Sequence, residues 1–381
     1  VELYKAPSKH IAILFETVSS IQPTFRPAYP TLDASTNIDR RFQARVQKNQ
    51  TFFAFYQLSA HMDPASIRVD SLEFREEIGS GACGTVRRAL HRKTGQEFAV
   101  KVIPNSCACA DTESAVLEKL WSTRSTRKKF GRRRSLDFIV KYLGAAKASA
   151  PEPQVASQFL VFDYLKGGDL ATLLERNGGC LDERTAKTVL LQVVKGLQSL
   201  HSRNIAHCDL KLSNIAFENL DNLSSVRLID LGSACDLSVS PAGVKSPVGT
   251  PVYWGPEVVR CFLTAQFCSE VVPYSKEADL WALGVIMYKL LSGQLPFPAA
   301  DMECLFGRIQ SSAVLFPENI WHEVSFHARD LIRKLLEKDP KQRISCREAL
   351  KHPWFSSAKY DRALAFGVWR KMSHALAAGT Q

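Results

Sequence analysis

The stretch His207-Cys208-Asp209-Leu210-Lys211-Leu212-Ser213-Asn214, taken with Asp230-Leu231-Gly232, holds two carboxylates, an amide and an ammonium. Phosphoryl transfer uses that set. One carboxylate orients the attacking hydroxyl and a second holds a metal ion. The amide holds metal from the other side, and the lysine neutralises the moving charge. The spacing H-x-D-x-K-x-x-N followed by D-x-G is far more specific than any one of these residues. The competing account is a polar loop between two strands. Each stretch follows or interrupts a short apolar run, Asn204-Ile205-Ala206 and Val226-Arg227-Leu228-Ile229, which predicts a strand end at each.

Other elements must bring phosphates to that loop. Ile78-Gly79-Ser80-Gly81-Ala82-Cys83-Gly84-Thr85-Val86 reads G-x-G-x-x-G-x-V. Glycine lets backbone amides come close to phosphate oxygens. Alone this signal is weak, but Phe98-Ala99-Val100-Lys101-Val102 follows as an alternating strand with one lysine on its buried side. A dinucleotide-binding reading fails, because its glycine motif should open a helix and here a second strand follows. Glu113 to Leu120 has helical spacing. Glu113 is the candidate partner for Lys101, with Leu117 one turn later on the same face. Glu118 is the rival, on the face away from Val116 and Leu120. Glu183–His201 reads as a long amphipathic helix, with Val189, Val193, Leu197 and Leu200 on one stripe.

In this combination the chain resembles the eukaryotic protein kinases, and Lys211, two residues after Asp209, is the serine/threonine form of the loop. Phe159 to Leu170 resembles the kinase hinge. Gly249-Thr250-Pro251-Val252-Tyr253-Trp254-Gly255-Pro256-Glu257 resembles the run that closes the activation segment. Asp279-Leu280-Trp281 matches the central helix whose aspartate ties down the catalytic loop. Arg343 matches the late arginine that pairs with Glu257. The resemblance covers residues 72–355 and implies an α+β, two-lobed fold, with a small β-rich lobe and a larger helical one. It implies ATP and Mg²⁺ as cofactors and protein serine or threonine hydroxyls as substrates. By position, Asp209, Lys211, Lys101 and Glu113 would be catalytic, and Asn214 and Asp230 would hold metal. Ile78, Gly79, Gly81, Gly84, Val86, Ala99 and Lys101 would line the nucleotide, with Val86 capping the adenine. Phe162 would guard the back pocket. The Asp163 carbonyl and the Leu165 amide would bond the adenine edge, and Asp169 would meet the ribose and a substrate arginine.

The later half, with Leu291-Ser292-Gly293-Gln294-Leu295-Pro296-Phe297 and Asp330 to Leu336, is similar to the calmodulin-dependent-kinase group. Within that group, the glycine loop preceded by Asn49–Leu58 resembles checkpoint kinases that carry a forkhead-associated domain. On that likeness residues 1–71 would end such a domain, 72–355 form the kinase domain and 356–381 a tail. The phosphothreonine-binding residues of such a domain are not found in 1–48. DNA-damage checkpoint or calcium-type signalling would be the setting. Ser246 and Thr250 stand where those kinases carry activating sites. Four departures matter: Cys208 replaces the usual arginine, Leu231 a phenylalanine, Ala216 a larger residue under the adenine, and Gly255 an alanine. None removes a catalytic group.

The rest of the chain is less informative. Its 381 residues, 45% hydrophobic, suffice for one large domain or two ordinary ones. The net charge of +11 lies largely in a loop at 124–134, read as an inserted solvated loop that could also serve nuclear import, with Ser135 a self-phosphorylation site. Ala145–Ser157 reads as a second inserted loop. Ten cysteines at irregular spacing, Cys107 and Cys109 included, suggest reduced thiols in the nucleus or cytoplasm rather than disulfides or zinc. No run of about twenty apolar residues exists, so no membrane span is expected. Val1 in place of Met fits a fragment. Thr51–Leu58 suits a strand, and Phe366–Leu376 is a basic amphipathic stretch that fits a frayed C-terminal helix and also resembles calmodulin targets and autoinhibitory helices. Two rivals compete: a pseudokinase scaffold, which the intact Lys101, Asp209, Asn214 and Asp230 disfavour, and a nucleic-acid binder, for which no motif exists.

Overall fold

The computed structural model describes residues 67–81, 83–104, 110–121, 136–146, 157–219 and 222–356. The chain divides into Val1–His61 and Met62–Gln381, and every described residue belongs to the second unit. The strand expected at Thr51–Leu58, Cys107 and Cys109, the basic loop with Ser135 and the tail with Trp369 lie outside the described residues.

Five strands form the first sheet: β1 (Leu72–Gly81), β2 (Gly84–His91), β3 (Glu97–Pro104), β4 (Tyr142–Ala146) and β5 (Ser157–Asp163). Their order is β1-β2-β3-β5-β4 and every neighbouring pair is antiparallel. β4 and β5 take residues at both ends of the expected 145–157 loop. The period-two alternation of β3 decides what faces what. Phe98 and Val100 point into a small core with Leu72, Ala89, Leu143 and Val161. Ile103, on the opposite face with Lys101, joins the main core beside Val116, Leu117 and Leu120 of helix α1 (Ala110–Trp121). The lysine is therefore buried on the face that meets α1.

The rest is mainly helical. α2 (Leu170–Arg176) is followed by α3 (Glu183–His201), which starts at the Asp182 cap, whose carboxylate accepts from the Arg184 and Thr185 amides. Its buried stripe includes Val189, Val193, Leu197 and Leu200, as the periodicity requires. Four short strands follow: β6 (Ile205–Ala206), β7 (Ile215–Phe217), β8 (Val226–Leu228) and β9 (Cys235–Asp236), paired β6 with β9 and β7 with β8. Both apolar runs beside the charged loop are thus strands. α4 (Pro256–Phe267) and α5 (Glu277–Ser292) come next; α5 is buried along nearly its whole length and ends at Gly293, in the left-handed region at φ 72°. α6 (Met302–Ser311), α7 (Glu318–Trp321), α8 (Phe326–Leu335), α9 (Cys346–Ala349) and α10 (Pro353–Ser356) complete the fold. The Glu183 carboxylate accepts from the Ser325 amide and hydroxyl and from Trp354 Nε1, which ties the end of the domain to the start of α3.

The expectation of reduced thiols needs a correction. Cys180, Cys208, Cys235, Cys261, Cys268, Cys304 and Cys346 are free. Cys83 is disulfide-bonded. Irregular spacing along the chain carried no sign of that bond.

Candidate active site

The lysine of β3 sits between two carboxylates. Lys101 Nζ is 2.8 Å from Glu113 Oε2, 3.0 Å from Oε1, and 2.8 Å from Asp230 Oδ1. Glu113 is 1% exposed, whereas Glu118 faces solvent, so the choice between them falls as the helix spacing indicates. Burial works against the Lys101 ammonium, but Asp230 and Glu113 outweigh it and raise its pKa. Burial likewise opposes the Asp230 carboxylate, and Lys101 outweighs it, holding that carboxyl below the usual range. Asp230 has φ 57°, a left-handed conformation in which its Oδ1 also accepts from the Gly232 amide at 3.3 Å.

The 207–214 loop gathers the other groups. Lys211 Nζ donates to Asp209 Oδ2 at 2.7 Å, and Asn214 Nδ2 donates to the Asp209 carbonyl at 2.8 Å. Asp279 of α5, 2% exposed, anchors this loop from below: its oxygens accept from the His207 and Cys208 amides, both at 2.9 Å, and lie 2.8 Å from His201 Nε2. Burial opposes both charges of that pair. The Asp279 carboxylate nevertheless raises the His201 pKa to about 10, and His201 lowers that of Asp279. Cys208 has φ 65°, and burial pushes its thiol well up. The loop is closed above by Gly249, at φ 92°, where a Cβ would come within 2.5 Å of the Cys208 carbonyl oxygen. Only glycine fits that approach.

The sheet forms the opposite wall. Register places Val86 beside Lys101, and Ala99 beside Phe162, on one face. Gly79, Gly81 and Gly84 lie at the β1–β2 turn, with Gly81 opposite Gly84 and Ile78 exposed. Leaving β5, the chain runs over β7: the Gly167 amide donates to the Phe217 carbonyl, and Asp169 bridges Ala216. Asp163 and Leu165 lie in this crossing; burial raises the Asp163 pKa. Asp169 Oδ1 accepts from the Thr172 amide at 2.8 Å and so caps α2. Late in the domain, Arg343 and Glu257 form a two-pronged pair at 2.5 and 2.9 Å.

Three features escaped the sequence reading. Thr250, expected as an activating position, donates its hydroxyl to Asp209 Oδ1 at 3.0 Å and accepts from Lys211 at 3.3 Å. Tyr274 bridges Val244 by two backbone hydrogen bonds, and its hydroxyl donates to the Ser246 carbonyl at 3.2 Å. Lys119, a basic residue on the helix carrying Glu113, is engaged by Asp236. The position of Thr250 directly after Gly249, in the run that ends at Glu257, was the one available signal. Tyr274 and Asp236 carried none.

Comparison with known proteins agrees with this geometry. The protein kinase domain family matches residues 72–355. The chain is 34% identical to the phosphorylase b kinase gamma catalytic chain, liver/testis isoform, of Mus musculus over 286 residues, which is 74% of this chain and 65% of that one. It is 32% identical to the calcium/calmodulin-dependent protein kinase type II subunit delta of Oryctolagus cuniculus, covering 75% of this chain and 49% of that one. It is 30% identical to serine/threonine-protein kinase D3 of Mus musculus, covering 81% and 30%. The chain thus spans less than two thirds of the length of these relatives. Among the described residues, no helix is long and apolar enough to cross a membrane. The chain belongs to the protein kinase family, and within it to the serine/threonine kinases of the calmodulin-dependent group.

Proposed function

We propose that this chain transfers the γ-phosphoryl group of ATP to serine and threonine hydroxyls of proteins. The observation that carries the reading is the pair of clusters Lys101–Glu113–Asp230 and Asp209–Lys211–Asn214, joined where the Ile229 amide, next to Asp230, donates to the Asn214 carbonyl at 3.0 Å. In this reading Lys101, held by Glu113, sets the α- and β-phosphates; Asp209 orients the substrate hydroxyl; Lys211 offsets charge on the transferred group. Ile78, Gly79, Gly81, Gly84, Val86 and Ala99 would line the nucleotide, and the Asp163 carbonyl and Leu165 amide would take its adenine edge.

The donor set suits magnesium, which binds through one or two protein oxygens together with substrate phosphates. Asp230 is 43% exposed and supplies a carboxylate. With Nδ2 of Asn214 committed to Asp209, its Oδ1 is the atom left to meet a cation. Among the described residues no larger His/Cys/Asp/Glu cluster competes for metal. The ion would neutralise phosphate charge there.

The test is transfer of labelled phosphate from ATP to a peptide library, with Lys101→Met and Asp230→Asn as controls. Both variants should stay folded and lose transfer; turnover surviving in either would end this assignment. The placement in checkpoint or calcium-type signalling, the division at 71 and 355, a nuclear or cytoplasmic location and calmodulin binding by the tail belong to this proposal. Calmodulin is supported by the name of one relative and by the basic amphipathic stretch at Phe366–Leu376. Unchanged Trp369 fluorescence on adding calcium-calmodulin would remove it.

A further inference from the structure

The Lys101–Glu113 contact requires α1 to lie close against the sheet, and α1 has a second tether besides its apolar face. Lys119, six residues beyond Glu113, places Nζ 2.6 Å from both oxygens of Asp236 and 2.9 Å from Ser238 Oγ. Asp236 belongs to β9, shortly after Asp230 in the chain. It is fixed there from three sides. Its backbone pairs with Ile205 of β6, and its Oδ1 accepts from the Ser238 amide at 2.9 Å and hydroxyl at 2.5 Å. The side chain of Asp236 is 17% exposed and that of Lys119 34%, so the pair is partly shielded from water.

The consequence is geometric. β6 leads into the 207–214 loop and β9 follows Asp230, so Asp236 is held in the frame of the two carboxylates the chemistry needs. Lys119 carries that frame over to the helix bearing Glu113. We infer that the Lys119–Asp236 pair is a latch that holds α1 where Glu113 reaches Lys101, which makes Lys119 and Asp236 positioning residues for phosphoryl transfer. The latch is a side-chain pair already present in the chain and needs no added phosphate. It also gives this lysine a partner, leaving it unavailable to a phosphate on Ser246. Burial opposes the Asp236 carboxylate, but Lys119 and Ser238 outweigh it and hold its pKa below the usual range, so Asp236 is ionised at neutral pH.

This inference rests on the phosphotransferase reading, and its test separates the two. Hydrogen–deuterium exchange across 110–121 is measured on the full chain without nucleotide, so it needs no turnover; kcat and ATP KM are measured beside it. Asp236→Asn keeps a hydrogen-bonding side chain and removes the charge. It should speed exchange in 110–121 and lower kcat about two- to fivefold, the range of a partly exposed pair. Asp236→Glu should stay near wild type. Lys119→Glu should behave as Asp236→Asn or worse, and the exchanged pair Lys119→Glu with Asp236→Lys should recover most of both readouts. A merely structural contact would lower the melting temperature without these rescues. Exchange across 110–121 unchanged in both Asp236→Asn and Lys119→Glu overturns the latch, whether or not the protein turns over ATP. A wild type with no turnover, but with altered exchange in the variants, leaves the latch standing and removes the phosphotransferase reading.

Discussion

The Thr250 hydroxyl donates to Asp209 Oδ1 at 3.0 Å, so a residue of the segment after Gly249 helps aim the carboxylate that would orient the substrate. The Thr250 hydroxyl oxygen in turn accepts from Lys211 at 3.3 Å. Thr250→Ala removes a hydrogen bond to a charged group and should lower kcat by roughly ten- to a hundredfold. Thr250→Ser should keep most activity. A phosphate at Thr250 would set negative charge against Asp209 and should inactivate the enzyme. Steady-state kinetics of the two variants, and of Thr250→Glu, decide this; an active Thr250→Glu would refute it.

One substitution separates the capping role of Asp169 from the contact with a substrate arginine that the kinase reading would give it. Its carboxylate caps α2 through the Thr172 amide, and Asn caps a helix about as well as Asp. Asp169→Asn should therefore leave stability within about 0.5 kcal/mol of wild type. Preference for an arginine three residues before the target should fall, because the charge is gone. The preference itself should be moderate: the neighbouring acidic positions of strongly basophilic kinases are here Ser213 and Lys289. Paired peptides with arginine or alanine at that position measure it. Strong selection for a second arginine two residues before the target would contradict it.

His201 makes stability depend on pH from the alkaline side. Despite burial, its folded pKa is raised to about 10 by the Asp279 carboxylate together with Cys346, against an ordinary value near 6.5. The folded state holds that proton more tightly than the unfolded chain. Its stabilisation is therefore complete below the unfolded pKa and is lost as pH rises through the folded one. Between pH 7 and 10 the wild type should lose stability relative to His201→Gln, with a slope of at most about 1.4 kcal/mol per pH unit. Urea unfolding at several pH values reads the difference. Parallel pH curves for the two proteins would show that no proton is involved.

Cys208 bears on switching. An arginine in its place would pair with a phosphate on the activation segment; a thiol cannot. Ser246 is exposed, and the segment around it is held without phosphate by the Val244–Tyr274 backbone bridge and by Trp254 Nε1 donating to the Val248 carbonyl at 2.9 Å. Phosphatase-treated wild type should be active, and Ser246→Ala should match it within about twofold, since neither lost group carries a structural contact. If the treated enzyme is inert and regains full activity only on phosphorylation at Ser246, Cys208 has not uncoupled the switch.

The sequence alone determines the local parts of this site. Asp209, Lys211 and Asn214 lie within six residues, so their meeting follows from covalent spacing once the loop is recognised. Glu113 is preferred over Glu118 because helical periodicity allows only one of them to share the face of Leu117. The alternation of β3 likewise tells which side Lys101 takes. What the tertiary structure decides is every contact between distant segments that carries no spacing signal. Lys119 and Asp236 are 117 residues apart, and Asp279 meets His207 from 72 residues away. Periodicity specifies which face of an element is apolar. It does not specify which polar side chain on the rim of that face will meet another, because that depends on how the packed elements are offset, a quantity set jointly by the whole core.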